Sequence, residues 1–221
     1  MIAESILSNP GMKLTEFRAS RDRLEEDGMR KMAEVFEKQQ SIVKVKLYQN
    51  GSKRGLAPLL KSLITCKGTL KALHIQDQKS GNRAAKELAE LITKCTNLEV
   101  LDISDLCLRT ENCSIISAAI VKALNSGSKL TRLAWTYDLA RSPTAASKFL
   151  AALYNANLTN LRTVKLTGVV QRRSDRAEQA AKFKQKGVTL TLWEPACSGD
   201  EDDESDDEPA ESSEDQASAH S

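Results

Sequence analysis

Arg18, Arg21 and Arg23 stand within six residues of one another, with Asp22 between the last two. Guanidinium groups so spaced on and just after a strand form a basic rim that meets carboxylates of a partner, each exposed pair contributing about 0–1 kcal/mol. Lys46 lies 28 residues after Arg18, and Lys44, Lys71, Arg132, Arg162 and Lys165 extend the positive charge along the strand segments. A basic stripe can bind phosphates. Aromatic residues are only 4% of the chain, however, so stacking platforms are scarce and nucleic acid is not the expected partner. Covalent chemistry has no machinery here: there is no G-x-x-x-x-G-K-[ST] loop, no G-x-S-x-G elbow and no paired-His or His–Cys arrangement. The expectation is a protein without an active site, metal or cofactor of its own, acting through a surface.

The elements that would carry these side chains recur at a fixed step. Strand-like cores begin at Leu14, Ile42, Leu70 and Leu98, 28 residues apart, and continue at Leu130 and Leu161 after 32 and 31 residues. A fixed period of 20–50 residues is the signature of a repeat array. Alternation along each core turns Leu70, Leu73 and Ile75 inward and leaves Arg18, Lys46, His74, Asp102, Ala134 and Lys165 on the opposite face. After each core comes a turn position, held in order by Asp22, Asn50, Gln78, Leu106, Asp138 and Val169. An amide at that position can satisfy backbone groups of neighbouring coils. Met29, Met32, Ala33 and Phe36 then recur at helical spacing, as do Ala84, Ala85, Leu88 and Leu91. The expected fold is α/β, a leucine-rich-repeat solenoid of the long, ribonuclease-inhibitor-like type with six to seven units. Parallel strands line its concave face and helices its convex face, and Val188–Trp193 supplies a closing strand. Ile2, Ala3, Ile6 and Leu7 read as the helix of an earlier unit, so the array is expected to be truncated in front. The side of that helix including Ile6 and Leu7 is expected to be uncovered and to invite self-association.

Charge divides the chain in two. All 32 Lys and Arg precede residue 200, whereas 11 of the 30 acids fall within residues 200–215, which leaves the body at +13 and the tail at −11. The expected organisation is a repeat domain over 1–196 and a disordered acidic tail over 197–221, because the tail has no apolar run to offset ordering costs of about 1–2 kcal/mol per residue. Ser205 and Ser213 precede acidic residues there and suit an acid-directed kinase. Arg172, Arg173, Arg176, Lys182, Lys184 and Lys186 form a basic helix face onto which such a tail can fold. Five cysteines without a C-x-x-C pair read as reduced, mostly core residues. A start without a basic leader, and no apolar stretch of membrane-spanning length, point to a soluble, intracellular protein.

The segment Phe17–Glu25, F-R-A-S-R-D-R-L-E, resembles the F-x-A-G-R-N-R-L-E stretch of the Ran GTPase-activating proteins, and Gln49-Asn50-Gly51 is similar to that family's Q-N-G turn at the matching distance. Asp105, Leu108 and Arg109 fall where the family has a D-C-L-x-R-like turn, and the family also ends its repeats in a long acidic segment. The resemblance implies a curved leucine-rich-repeat scaffold that binds Ran in its GTP form and promotes hydrolysis in nucleocytoplasmic transport, in the cytoplasm and at the nuclear envelope, with Ran-binding proteins as further partners. It places Arg18, Arg21, Asp22, Arg23, Lys46, Gln49 and Asn50 at the interface. It also implies that no arginine finger is supplied and that an Asn from a turn upstream of Phe17 helps position the GTPase's own Gln, so activation without that turn is expected to be impaired. Ser20 stands where the family has Gly, and a left-handed backbone there would strain Ser. The alternative is a leucine-rich-repeat interaction scaffold with no GTPase role.

Overall fold

Alternating apolar and polar residues make short strands, and the i, i+3, i+4, i+7 runs between them make helices. The computed structural model describes residues 2–9, 11–50, 54–78, 80, 82–167 and 173–193. In chain order these form α1 (Ile2–Leu7), β1 (Glu16–Ser20), α2 (Glu25–Gln39), β2 (Lys44–Tyr48), α3 (Leu56–Leu63), β3 (Ala72–Gln76), α4 (Asn82–Lys94), β4 (Val100–Asp102), α5 (Thr110–Asn125), β5 (Arg132–Trp135), α6 (Pro143–Asn155), β6 (Thr163–Thr167), α7 (Arg173–Gln185) and β7 (Thr189–Trp193). The seven strands make one parallel sheet in the order β1 to β7. Parallel neighbours need a crossover, and because crossovers are right-handed as a rule, a monotonic strand order puts every helix on the same side of the sheet.

The strand register carries the sequence step into space. Phe17 pairs with Val45, Val45 with Leu73, Leu73 with Leu101, and onward through Leu133, Val164 and Leu190. From Val45 onward this row is buried and joins one continuous core with helix residues such as Met29, Leu59, Leu88, Ile116 and Phe149. Each fully buried aliphatic or aromatic side chain of this kind contributes about 1.5–3 kcal/mol. Aromatic pairs mark three levels of the core: Phe17–Phe36, Trp135–Phe149 and Tyr154–Phe183, edge to face with centroids 5.6, 5.3 and 5.5 Å apart.

Local signals fix the helix ends. α2 begins with Glu25, Glu26 and Asp27 where the helix dipole favours acids. It stops at Gln40, whose left-handed backbone (φ 49°) sends its N–H to the carbonyl of Phe36. α6 starts at Pro143, the first-turn position where a missing N–H costs nothing.

Two expectations change. Ile6 is 8% exposed and packs into the core beside Ala3, so the outward face of α1 presents Ile2, 78% exposed, instead of Ile6. Cys66, Cys95 and Cys113 are buried, but Cys107 is exposed because the turn after β4 carries it outward in a left-handed conformation (φ 53°). Burial pushes the thiols of Cys95 and Cys113 up to about 12. Val169, Arg172, Ser205, Ser213, the boundary at 196/197 and the acidic tail lie outside the described residues.

Candidate protein-interaction surface

The site is built by a backbone conformation that recurs after successive strands. Arg21, Gln49, Asp77, Asp105 and Tyr137 all have positive φ, at 59°, 50°, 50°, 53° and 70°. They follow one another by 28, 28, 28 and 32 residues, the same steps as the strands. Left-handed backbone costs a non-glycine residue about 1–2 kcal/mol, so something must hold these turns. Polar side chains at the next position hold four of them, three in their own turn and one, Asp138, in the turn before it. Asn50 is fully buried and donates from Nδ2 to the carbonyls of Ala19, 2.9 Å away on β1, and Tyr48, at 3.0 Å. Gln78, also fully buried, donates to the carbonyl of Gln76 at 3.2 Å. Asp138 accepts from the backbone N–H groups of Leu106 (2.9 Å) and Leu108 (2.8 Å). Leu106 occupies its place as an apolar core residue, and exposed Asp22 caps the N–H of Ser20 at 2.6 Å.

The positions just before this ladder face outward and touch each other. Arg21 donates from Nε to Gln49 Oε1 at 2.7 Å, and its guanidinium lies 5.4 Å from the Tyr48 ring centroid. Gln49 in turn donates to Asp77 Oδ2. One row down, on the strands, Arg18, Lys46, His74, Asp102, Ala134 and Lys165 are register partners in that order. Arg18 Nε contacts Glu16 at 2.7 Å, and Lys44 reaches the same carboxylate at 3.2 Å. Asp102 accepts from Gln76 and, at 2.8 Å, from the Ser104 hydroxyl, with His74 Nδ1 3.9 Å away. Burial alone would raise the Asp102 carboxyl, but the nearby His74 imidazole and hydrogen bonds from Ser104 and Gln76 outweigh it and hold the group below its usual range.

The open face therefore changes sign along its length. Over β1–β3 a cleft of about 290 Å³ is lined by Arg18, Lys46, Tyr48, His74 and Gln76 among others. Over β3–β5 a cleft of about 360 Å³ is lined by Asp77, Asp102 and Asp105 together with Tyr137 and Lys165. Arg141 stands 3.6 Å from Asp105 at the margin of this acidic part.

Of the residues singled out from the sequence, Arg18, Arg21, Lys46 and Gln49 lie together on two neighbouring strands and their turns. Asp22 and Arg23 are exposed immediately beyond, Arg23 also with positive φ (47°). Asn50 is spent on the backbone ladder and has no surface with which to touch a partner. Ser20 is in strand β1 and the left-handed turn falls one residue later, on Arg21, so the strain expected for Ser does not arise. Glu26 pairs with Arg30 at 2.5 Å, within α2. Of the three aromatics near the strand ends, Tyr48 and Tyr137 line the open face and Trp135 is buried. Asp77 was missed as a surface group, and counting one residue back from Gln78 would have found it.

No protein-family model matches the chain, and no curated protein matches it. Among the described residues no group of three His, Cys, Asp or Glu side chains could hold a metal ion, and no helix is long and apolar enough to cross a membrane.

Proposed function

We propose that the chain is a leucine-rich-repeat solenoid related to the Ran GTPase-activating proteins, which docks Ran in its GTP form on the open face of the sheet and promotes GTP hydrolysis on the cytoplasmic side of nucleocytoplasmic transport. The observation that carries this reading is a juxtaposition. The two segments that resemble the family, Phe17–Glu25 and the described part of the second, Gln49 and Asn50, are joined side to side, Arg21 Nε to Gln49 Oε1 at 2.7 Å, with Arg18 and Lys46 paired beneath them. Arg21 is held between an amide and an aromatic ring and Arg18 by Glu16, so both act as fixed docking charges, not as groups inserted into another protein's active site. The rate effect then comes from positioning the GTPase's own residues, a route by which one placed group contributes roughly 10³–10⁵ in phosphoryl transfer.

Two measurements test this. Binding to Ran loaded with a non-hydrolysable GTP analogue is expected to be stronger than to Ran-GDP. In single-turnover assays, adding the chain is expected to speed loss of the γ-phosphate. Equal binding to both nucleotide forms with no acceleration would leave a leucine-rich-repeat scaffold without a GTPase role.

A further inference from the structure

The opposite side of the molecule carries a further cavity. Between α5 and α6 lies a groove of about 600 Å³, within the 300–1,000 Å³ range of small-ligand sites. On α5 the lining residues include Ser114, Ser117, Ala118 and Val121, and on α6 they include Phe149 and Ala152. These are the facing stripes of two adjacent helices, and they are built mainly from small residues, which leaves space where larger side chains would interdigitate. The chain path explains why the gap falls here. The step from Leu98 to Leu130 is 32 residues instead of 28, and a short 3-10 turn, Leu139–Arg141, is interposed between β5 and α6.

Three features say what the groove would take. Its walls, Ala118, Val121, Phe149 and Ala152, are apolar. Its charged lining residues are Lys122 and Lys148, both exposed, and no carboxylate lines it. Neither lysine has an ion-pair partner among the described residues. The hydroxyl of Ser117, closed off from solvent, has no hydrogen-bond partner among them either. The chain's own acidic segment matches the lysines in charge but not the walls, because residues 198–221 contain no Leu, Ile, Val, Met, Phe, Tyr or Trp.

We infer that the α5–α6 groove is a binding site for a small anionic amphiphile, its apolar body along Ala118, Val121, Phe149 and Ala152 and its anionic head between Lys122 and Lys148. Nothing in this site overlaps the open face, so the inference stands independently of the GTPase reading.

Dodecanoate, kept below its critical micelle concentration, is the probe, titrated calorimetrically into the full chain alongside dodecyltrimethylammonium, which has the same tail and the opposite charge. Dodecanoate is expected to bind at one site per chain and the cationic analogue at least tenfold more weakly. Lys122→Gln with Lys148→Gln should weaken dodecanoate about tenfold, since two exposed ion pairs are removed. Ala118→Leu with Ala152→Leu, at exposed positions, should abolish binding by filling the groove while leaving the thermal unfolding midpoint unchanged or higher. Lack of binding by the wild-type chain, equal binding of the two amphiphiles, or undiminished binding by the filled variant would each overturn the proposal.

Discussion

The first four strands and the last three solve the same problem with different chemistry. From β1 to β4 the register advances by 28 residues at every pair, and the buried turn positions carry the neutral amides of Asn50 and Gln78. From β4 onward the step becomes irregular, 32, 31 and then 26 residues, and the buried turn group becomes Asp138, a carboxylate that accepts two backbone N–H groups of the preceding turn. The large aromatic pair Trp135–Phe149 fills the core at that level. A neutral amide can reach carbonyls. A carboxylate serves where N–H groups point inward, at the cost of burying charge. The regular half is thus held at its turns by amides that bond carbonyls, and the irregular half by one carboxylate that binds N–H groups.

The largest expected effect follows from that contrast. Asp138→Ala leaves two buried N–H groups without an acceptor and should cost about 3 kcal/mol or more in urea denaturation, since each stranded donor costs about 1–3 kcal/mol. Asn50→Ala removes a donor from carbonyls that are better tolerated unsatisfied, and about 1–2 kcal/mol is expected. Equal losses, or the reverse order, would mean that the two halves are not held differently.

The two halves should also respond to pH with opposite sign. The Asp102 carboxyl is held below the usual 3.8, so its ionised form stabilises the fold above that value and the benefit is lost as pH falls through the lower folded-state value. The stability gap between wild type and Asp102→Asn should shrink on going from pH 5 to pH 2. Asp138 is raised, chiefly by burial and against the hydrogen bonds from Leu108 and Leu106. Its protonated form is therefore favoured in the folded state, and wild type should lose ground to Asp138→Asn as pH rises from 3.8 through the higher folded-state value. Parallel slopes for the two variants would show that their environments are alike.

Smaller effects sharpen the picture at the surface. Under native conditions a thiol reagent should modify Cys107 well before Cys66, Cys95 and Cys113, as mass mapping can establish; labelling of Cys113 at a comparable rate would mean that the core around α5 is open. Arg18→Ala, which breaks an exposed contact to Glu16, should leave the urea-denaturation midpoint essentially unchanged, so any clear effect on binding reports docking and not folding.

Much of the architecture was legible because the leucine cores alternate with period two and recur with a constant step, which together dictate which residues become register partners. Arg18 beside Lys46 and Lys46 beside His74 follow from that arithmetic. The left-handed row was hidden because Arg21, Gln49, Asp77 and Asp105 are not glycines, so no residue type announced the positive φ. The family's Gly pointed to Ser20, one residue too early. The sign change along the open face needed the register itself, since Asp77, Asp102 and Asp105 are scattered in sequence and meet around one cleft. The α5–α6 groove was illegible because it lies between facing stripes of small residues such as Ser117, Ala118 and Ala152, and small residues at helical spacing ordinarily mean close packing.

The most direct test of the functional account is the affinity for Ran carrying a non-hydrolysable GTP analogue, measured for wild type, for Arg18→Glu with Lys46→Glu, and for Lys165→Glu. Binding at least tenfold weaker is expected when the charge over β1–β2 is reversed, and little change when the charge on β6 is reversed. Equal weakening by both variants, or no preference for the GTP form in any of them, would contradict it.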